Sequence, residues 1–542
     1  MVLGHSHRRH SLASSRSSME DNNQDDETVI DDDQGNVLSH LISQLRPGAD
    51  LSRVTFPTFI LEPRSMLERI TNFMAHPETL LPMPEIDDPV QRFVAVTKFY
   101  LSGWHIKPPG VKKPLNPILG ETFTGYWDYS DGTRGYYISE QTSHHPPKSS
   151  YFFMAPEHHI RIDGTLKPRS KFLGNSAASL MEGIAVMRFT NRNERYFITQ
   201  PNMYARGILF GKMKYELGDH AQVKCPETGL EVDIEFKVKG WVGGTYNAIG
   251  GYIKDSRGKA LFELSGFWNG DMHIKDLTTG KKQLLFDATH AKPTIPKSRP
   301  MEEQAERESQ RLWAKVNAAV KKADHRAATD EKTVIEDRQR EEAVQRGDLE
   351  WRPKLFRKAL GAAGKGGPGD EPGEENLDWV IDATVDAPTP QALTEQILAI
   401  APILPGQHND TLQQPPYPPS LDKSPHPNVA TSGQDTPQQT QTPEKVAGAG
   451  HKQNDSHHRN DLDSTSSAPN TDLIDFGAAE PVKQGLPVRG RGESREGVGA
   501  QGQAQGNGGR PGIAFSMEPL QPKVLRADSV DGGSEEFVDA EM

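Results

Sequence analysis

One cysteine, Cys225, occurs in 542 residues, which excludes an internal disulfide framework and a multi-thiolate zinc site and fits a reducing compartment. No apolar run reaches 18 residues, and the opening MVLGHSHRRHSLASSRSS lacks the apolar core of a secretory signal. The expectation is a cytoplasmic protein that meets any membrane from the water side. Positive charge is not in excess: 62 Lys and Arg stand against 74 Asp and Glu, a formal charge of −12, so nonspecific nucleic-acid binding is excluded as the main activity. Aromatics are scarce at the end of the chain. All seven Trp precede residue 380, and residues 408–542 hold only Tyr417, Phe476, Phe515 and Phe537, too little to bury for a fold of their own.

What is present divides the chain. Residues 1–35 are Ser, His and Arg followed by Glu20, Asp21, Asp25, Asp26, Glu27 and Asp31 to Asp33, read as a self-repelling, unstructured arm. Val37, Leu38, Leu41, Ile42 and Leu45 then fall on one stripe of a short helix ended by Pro47-Gly48. A second helix is expected from Asp88-Pro89 to Gly103, with Phe93, Val96, Phe99 and Tyr100 on one side. From about 115 to 290 the period becomes two. Leu230, Val232, Ile234, Phe236 and Val238 alternate with Glu231, Asp233, Glu235, Lys237 and Lys239, and similar runs include Tyr136 to Ser139, Tyr151 to Met154 and Ile208 to Leu217. Close-set strands without intervening helices argue an antiparallel meander, as a sandwich or a barrel, and a hollow barrel could hold a ligand. The helical period returns with Leu312, Val316 and Val320, and Thr329 is placed as the cap of a further helix to about Arg346. A loop is expected over 361–372 and a last ordered piece from Leu377 to Pro405.

Three strings could carry chemistry. EQTSHHPPKSSYFF, Glu140 to Phe153, contains His144 and His145; neighbours on a strand face opposite ways, so they chelate poorly, and no third metal ligand stands at suitable spacing. If Pro146-Pro147 end the strand, both imidazoles could instead donate to one phosphate. Lys332, Glu336 and Arg340 stack on one helix face at intervals of four, either as a surface salt-bridge ladder or as a clamp in which Glu336 holds both cations extended for a phosphate. In KPLNPILGE, Lys113 to Glu121, Pro114 and Pro117 stiffen a turn that presents Lys113 and Asn116. Each string also has a plain structural reading, and singly the plain readings are stronger: core histidines, a solvated ladder, an ordinary turn.

Together the strings resemble the oxysterol-binding-protein-related family, whose EQ-x-SHHPP signature is here Glu140 to Pro147. The resemblance runs from about Asn36 to Gln407, and the flanking text is similar to the subgroup that exchanges phosphatidylserine for phosphatidylinositol 4-phosphate. It implies an α+β, mainly antiparallel β fold: a nearly closed barrel with a lipid tunnel, a lid over about residues 36–64 carrying the Val37 to Leu45 stripe, a helical portion over about 300–407, and disordered termini. It implies that Lys113, Asn116, His144, His145, Lys332, Glu336 and Arg340 hold the phosphoinositide headgroup. For phosphatidylserine it implies Phe56, Thr58, Asn116 and Ser170, with Phe56 standing where the subgroup often has leucine. The expected partners are these two lipids and, transiently, membrane surfaces at contacts between endoplasmic reticulum and plasma membrane, with no cofactor and no metal. The closing SVDGGSEEFVDAEM resembles the motif that docks on VAMP-associated proteins, through Glu536, Phe537, Val538, Asp539 and Ala540.

An enzyme reading finds little support. A cysteine-dependent phosphatase needs Arg six places after its Cys, where Cys225 has Glu231. His158 and Asp163 match an acyltransferase spacing but would lie on opposite faces of a strand. The alternative within the same family is a carrier or sensor of sterol and phosphatidylinositol 4-phosphate.

Overall fold

A computed structural model describes residues 27–29, 43, 45–51, 54, 56–208, 212–239, 245–359 and 377–408. Val37, Leu38, Leu41 and Ile42, the loop over 361–372 and the motif Glu536 to Ala540 lie outside the described residues. In chain order the first strands are β1 (Glu27–Val29), β2 (Leu61–Ser65), β3 (Lys113–Leu115), β4 (Thr122–Asp128), β5 (Arg134–His144), β6 (Pro147–Ala155), β7 (Ile160–Phe172), β8 (Ser176–Phe189), β9 (Glu194–Ile198) and β10 (Asn202–Arg206). There follow β11 (Lys212–Cys225), β12 (Leu230–Lys237), β13 (Ala248–Lys254), β14 (Ala260–Phe267), β15 (Asp271–Asp276) and β16 (Lys282–Asp287). The main helices are α1 (Pro89–Ser102), α2 (Ala314–Lys321), α3 (His325–Arg346) and α4 (Pro390–Ile400).

Antiparallel neighbours run from β16 back to β4 in reverse chain order, with β9 beside β8 and β11 and with β1 added to β11, making one sheet of 14 strands. Alternation builds it: in β12, Leu230, Val232, Ile234 and Phe236 are buried, while Glu231, Asp233, Glu235 and Lys237 are not. The sheet is rolled. Trp127 of β4 and Phe286 of β16, at opposite ends of the strand order, share one core with Phe93, Val96, Phe99 and Tyr100 of α1. Residues 288–297 cross the gap between the two end strands: the Trp127 indole donates to Thr294 O at 2.9 Å, and Tyr126 and Lys297 exchange backbone hydrogen bonds at 2.9 and 2.7 Å. These bonds occupy part of the β4 edge that would otherwise be open to pairing with another chain.

Helix α1 begins as its sequence dictates, with the Asp88 carboxylate accepting from Gln91 N at 2.8 Å and Pro89 in the first turn. On the outer face of β5 and β6, Tyr136, Ile138, Phe152 and Met154 pack against Leu393 and Ile397 of α4, so these strands are buried on both sides and read as nearly continuous apolar runs.

Near the start of the described chain, Glu27–Val29 pair antiparallel with Lys214 to Lys212 along an edge of β11 that β12 leaves open. Two expectations need correction. The strand expected from Ile208 starts at Lys212, since β10 and β11 form a hairpin whose turn takes Ile208. Helix α3 opens one turn before Thr329, capped by Asp324, which accepts from Ala327 N at 3.0 Å. Thr329 sits inside it, its hydroxyl donating back to His325 O at 2.7 Å, as threonine does within a helix.

Candidate functional site

The turn from Lys113 to Glu121 is held from its end. Glu121 is fully buried and accepts from Ser65 Oγ at 2.5 Å, Ser309 Oγ at 2.6 Å, Trp313 Nε1 at 2.9 Å and Ile118 N at 3.0 Å. Burial pushes its carboxyl upward, and these donors oppose that push. Leu119 N donates to Gln339 of α3 at 2.8 Å, which ties the turn to the long helix. Gly120 closes it with a φ of +73°, and a Cβ there would stand 2.5 Å from the Trp351 ring. Lys113 and Asn116 are thus presented from a rigid loop.

Glu140, the first signature residue, serves the scaffold: buried in β5, it accepts from Lys354 N at 2.9 Å and Leu355 N at 2.8 Å. Burial pushes its carboxyl up to about 7 against those two bonds. Gln141 braces the next turn, donating to Ser143 O at 2.9 Å and accepting from Ser149 Oγ at 2.6 Å. Strand β5 ends at His144, and the two imidazoles do not diverge as they would within a strand; their centroids are 4.7 Å apart, edge to face. His144 Nδ1 lies 3.1 Å from Pro117 O. A carbonyl only accepts, so Nδ1 carries the proton and Nε2 of the neutral ring is an acceptor. Burial, and secondarily His145, depress this imidazole to about 4.

An apolar cavity of about 190 Å³ lies behind these groups, walled by Leu51, Phe56, Ile60, Lys113, Asn116, His144, Ser170 and Met213 at its mouth and by Met181, Met203 and Tyr215 on the side it shares with a second space. A second, of about 90 Å³, shares Met66, Arg69, Met181, Met203 and Tyr215 with the first and reaches Tyr100, Trp104 and Gln200. On the outer side a cavity of about 400 Å³ is lined by the polar Thr142, Ser143, His144, His145, Gln339, Arg340, Glu342, Arg346 and Asp348, with Leu119, Leu349 and Trp351 between them. His144 belongs to both the apolar and the polar space. Residues 45–51 run over the mouth along the end of β7: Gly48 N donates to Phe172 O at 2.6 Å, Phe172 N to Ala49 O at 2.9 Å and Leu51 N to Ser170 O at 3.0 Å. Leu45 packs there with Leu51, Val54, Phe59 and Phe172.

Most of the residues singled out from sequence converge, with two differences. Lys332 pairs with Glu336, and both act on Lys113, which burial and the repulsion of Lys332 lower to about 8 while Glu336 opposes. Arg340 is not held by Glu336; it pairs with Asp337 and stays largely exposed, because a carboxylate three positions away on the solvent side reaches it more directly. Thr58 does not wall the cavity. Its hydroxyl lies 3.3 Å from His325 Nδ1 and donates to His325 O at 3.2 Å, at the start of α3. Sequence reasoning missed Glu121 and Glu140 as anchors and Lys112 and Arg69 as wall residues. Nothing local marks a carboxylate whose partners lie some 190 or 214 positions away. Cys225 is buried and pushed up to about 11, hence an inert thiol. His158 and Asp163 bond separately, to Asp131 and Arg161.

A rolled sheet around an apolar cavity, with lysine and imidazole side chains in its wall, is an architecture that can hold a lipid. The model of the oxysterol-binding protein family matches residues 40–384, and the chain belongs to that family. It is 52% identical over 384 residues to oxysterol-binding protein homolog 7 of Saccharomyces cerevisiae, covering 69% of this chain and 85% of the relative. To homolog 6 of the same yeast it is 48% identical over 407 residues, covering 73% and 88%. Oxysterol-binding protein-related protein 5 of Homo sapiens is 39% identical over 336 residues, 60% of this chain and 38% of that longer protein. The crystal structure of the Osh1 ORD domain in complex with cholesterol shares the fold, with a TM-score of 0.54 at 21% identity over 66% of this chain and 89% of that one. The domain is therefore a lipid-binding and lipid-transfer module, not an enzyme. Among the described residues, no helix is long and apolar enough to cross a membrane.

Proposed function

We propose that the chain extracts phosphatidylserine and phosphatidylinositol 4-phosphate from membranes and exchanges them, one lipid at a time, in the lid-covered cavity. The observation that carries this reading is the wall shared through His144, where an apolar space for acyl chains abuts a polar space lined by His145 and Arg340. A two-chain lipid exposes on the order of 30 methylenes, which at about 0.8 kcal/mol each cost roughly 25 kcal/mol in water; a dry cavity removes that barrier. The inositol phosphate would take Lys113, Asn116, His144, His145 and Arg340, with Lys332 and Glu336 setting the local charge. The serine head would take Phe56, Asn116 and Ser170, with Thr58 acting through the lid. The sites of exchange would be contacts between endoplasmic reticulum and plasma membrane, with Glu536 to Ala540 docking on a VAMP-associated protein. The test is liposome extraction: His144→Ala with His145→Ala should abolish capture of phosphatidylinositol 4-phosphate and spare phosphatidylserine. Unchanged phosphoinositide capture would remove the histidines from the site.

One observation favours a sterol as the second cargo. The Tyr100 hydroxyl and the Trp104 indole N–H are buried beside the inner cavity, interacting weakly with one another and with no other hydrogen-bond partner among the described residues, and a lone hydroxyl on a rigid apolar body would satisfy them. Native mass spectrometry of lipid bound to the purified chain distinguishes the two cargoes.

A further inference from the structure

Lys112 and Lys113 are adjacent and both wall the apolar cavity, yet they do different things. Lys113 Nζ stands over the Phe56 ring, 5.0 Å from its centroid. Lys112 Nζ donates to Phe59 O at 2.6 Å. Between these two contacts, Thr58 is bonded to His325, and the Phe59 ring meets the His325 ring edge-on with centroids 6.1 Å apart. The short segment Phe56 to Phe59 is thus pinned at three points by two elements. Directly after it β2 pairs in parallel with β3, Leu61 beside Lys113, and directly before it the chain leads back to the stretch over the cavity mouth.

We propose that Phe56 to Phe59 is a clasp joining the lid to the headgroup turn, with Lys112 as its fixed pin and Lys113 as its movable one. The chemistry separates the two roles. A lysine over an aromatic face can leave it for a phosphate, because both contacts are electrostatic and neither is directional. A charge-assisted hydrogen bond from a half-buried ammonium to a main-chain carbonyl is directional and stronger than a contact over a ring, so it is the one that holds. An arriving anionic head therefore draws Lys113 off Phe56 while Lys112 keeps the base of the lid in register. Lys112 is then a positioning residue: it acts on the lipid's residence through the lid and makes no contact with the head itself. Nor does this depend on which lipid fills the cavity, although it rests on the reading that the cavity carries a lid-covered lipid.

The experiment preloads the full chain with NBD-labelled phosphatidylserine and follows its release to excess phosphatidylcholine vesicles. Lys112→Met keeps the stem and removes the donor, and it should release the label about tenfold faster or more, the loss expected for one charge-assisted hydrogen bond. Lys112→Arg, which retains a cationic donor, should restore slow release, and Lys112→Gln, a neutral donor, should fall between. A general loss of structure would not follow this order, and thermal melting of all three variants checks it. Release from Lys112→Met at the wild-type rate overturns the clasp. If Lys112→Met does not fold, Lys112→Gln decides: release at the wild-type rate overturns the clasp and faster release supports it. If the wild type retains no labelled phosphatidylserine, the cargo assignment fails instead, and the series is repeated with cholestatrienol.

Discussion

Phe56 and Lys113 face each other across the mouth of the apolar cavity, ring centroid to ammonium 5.0 Å. Such a contact stabilises by about 0.5–2 kcal/mol depending on desolvation, and it competes with any phosphate for the same lysine. Phe56→Leu keeps an apolar side chain and removes the competitor. The expected outcome is tighter capture of phosphatidylinositol 4-phosphate, by up to about tenfold, in a liposome extraction titration. Weaker capture would show that the ring supports the loaded state.

His144 predicts a pH dependence with a definite sign. Its imidazole titrates at about 4 in the folded chain against an ordinary 6.5. Between these values the unfolded chain binds more protons, so the stability held in the neutral ring is complete above about 6.5 and is lost as pH falls toward 4. His144→Asn should remove that part of the acid sensitivity in thermal melts between pH 7 and 4. Binding reverses the sense, because Nε2 must gain a proton to donate to phosphate. Capture of phosphatidylinositol 4-phosphate should therefore strengthen from pH 8 to 6 and take up protons, which calorimetry in buffers of different ionisation enthalpy measures.

Glu121 orders the headgroup turn without touching the cavity. Glu121→Ala leaves buried donors on Ser65, Trp313 and Ile118 without their acceptor and Ser309 with Thr122 O alone, and the expected loss is about 3 kcal/mol or more in chemical denaturation. Extraction of both lipids should fall together. Selective loss of one lipid would mean that the carboxylate has a part in recognition.

The acidic arm gives a prediction from charge. Its carboxylates oppose adsorption to anionic bilayers within a Debye length of the surface, and Glu27–Val29 keep its end on β11. Deleting residues 1–35 should increase co-sedimentation with phosphatidylserine-rich liposomes at low salt and make little difference at high salt. No increase at low salt would sink the idea.

The antiparallel sheet was readable because period two is a local property: each residue of β12 declares its face by what stands two places away. The capped start of α1 was legible for the same reason, since Asp88 and Pro89 act within one turn. The start of α3 was misplaced because Thr329 and Asp324 are both good caps, and only the docking of the preceding turn chooses between them. Of the site, the residues in named strings were legible as chemistry but not as geometry. Arg340 was expected on Glu336 and is on Asp337, and Thr58 was expected at the serine head and is on His325.

Composition and periodicity determined by themselves that this chain has an antiparallel β domain, helices after it, a charge unsuited to nucleic acid, and a dense string of imidazole, lysine and proline around residues 113–147. Those are properties of neighbours along the chain. The rolled sheet alone decided that Lys113 lies within reach of Lys332, that Glu140 holds Lys354 and Leu355, and that His144 stands between an apolar and a polar space. Contacts between residues some 200 positions apart depend on how tightly twisted strands curl and on which segment crosses the gap between β16 and β4. That curvature is seen in Trp127, Phe286 and α1 meeting in one core, a contact that no local pattern encodes.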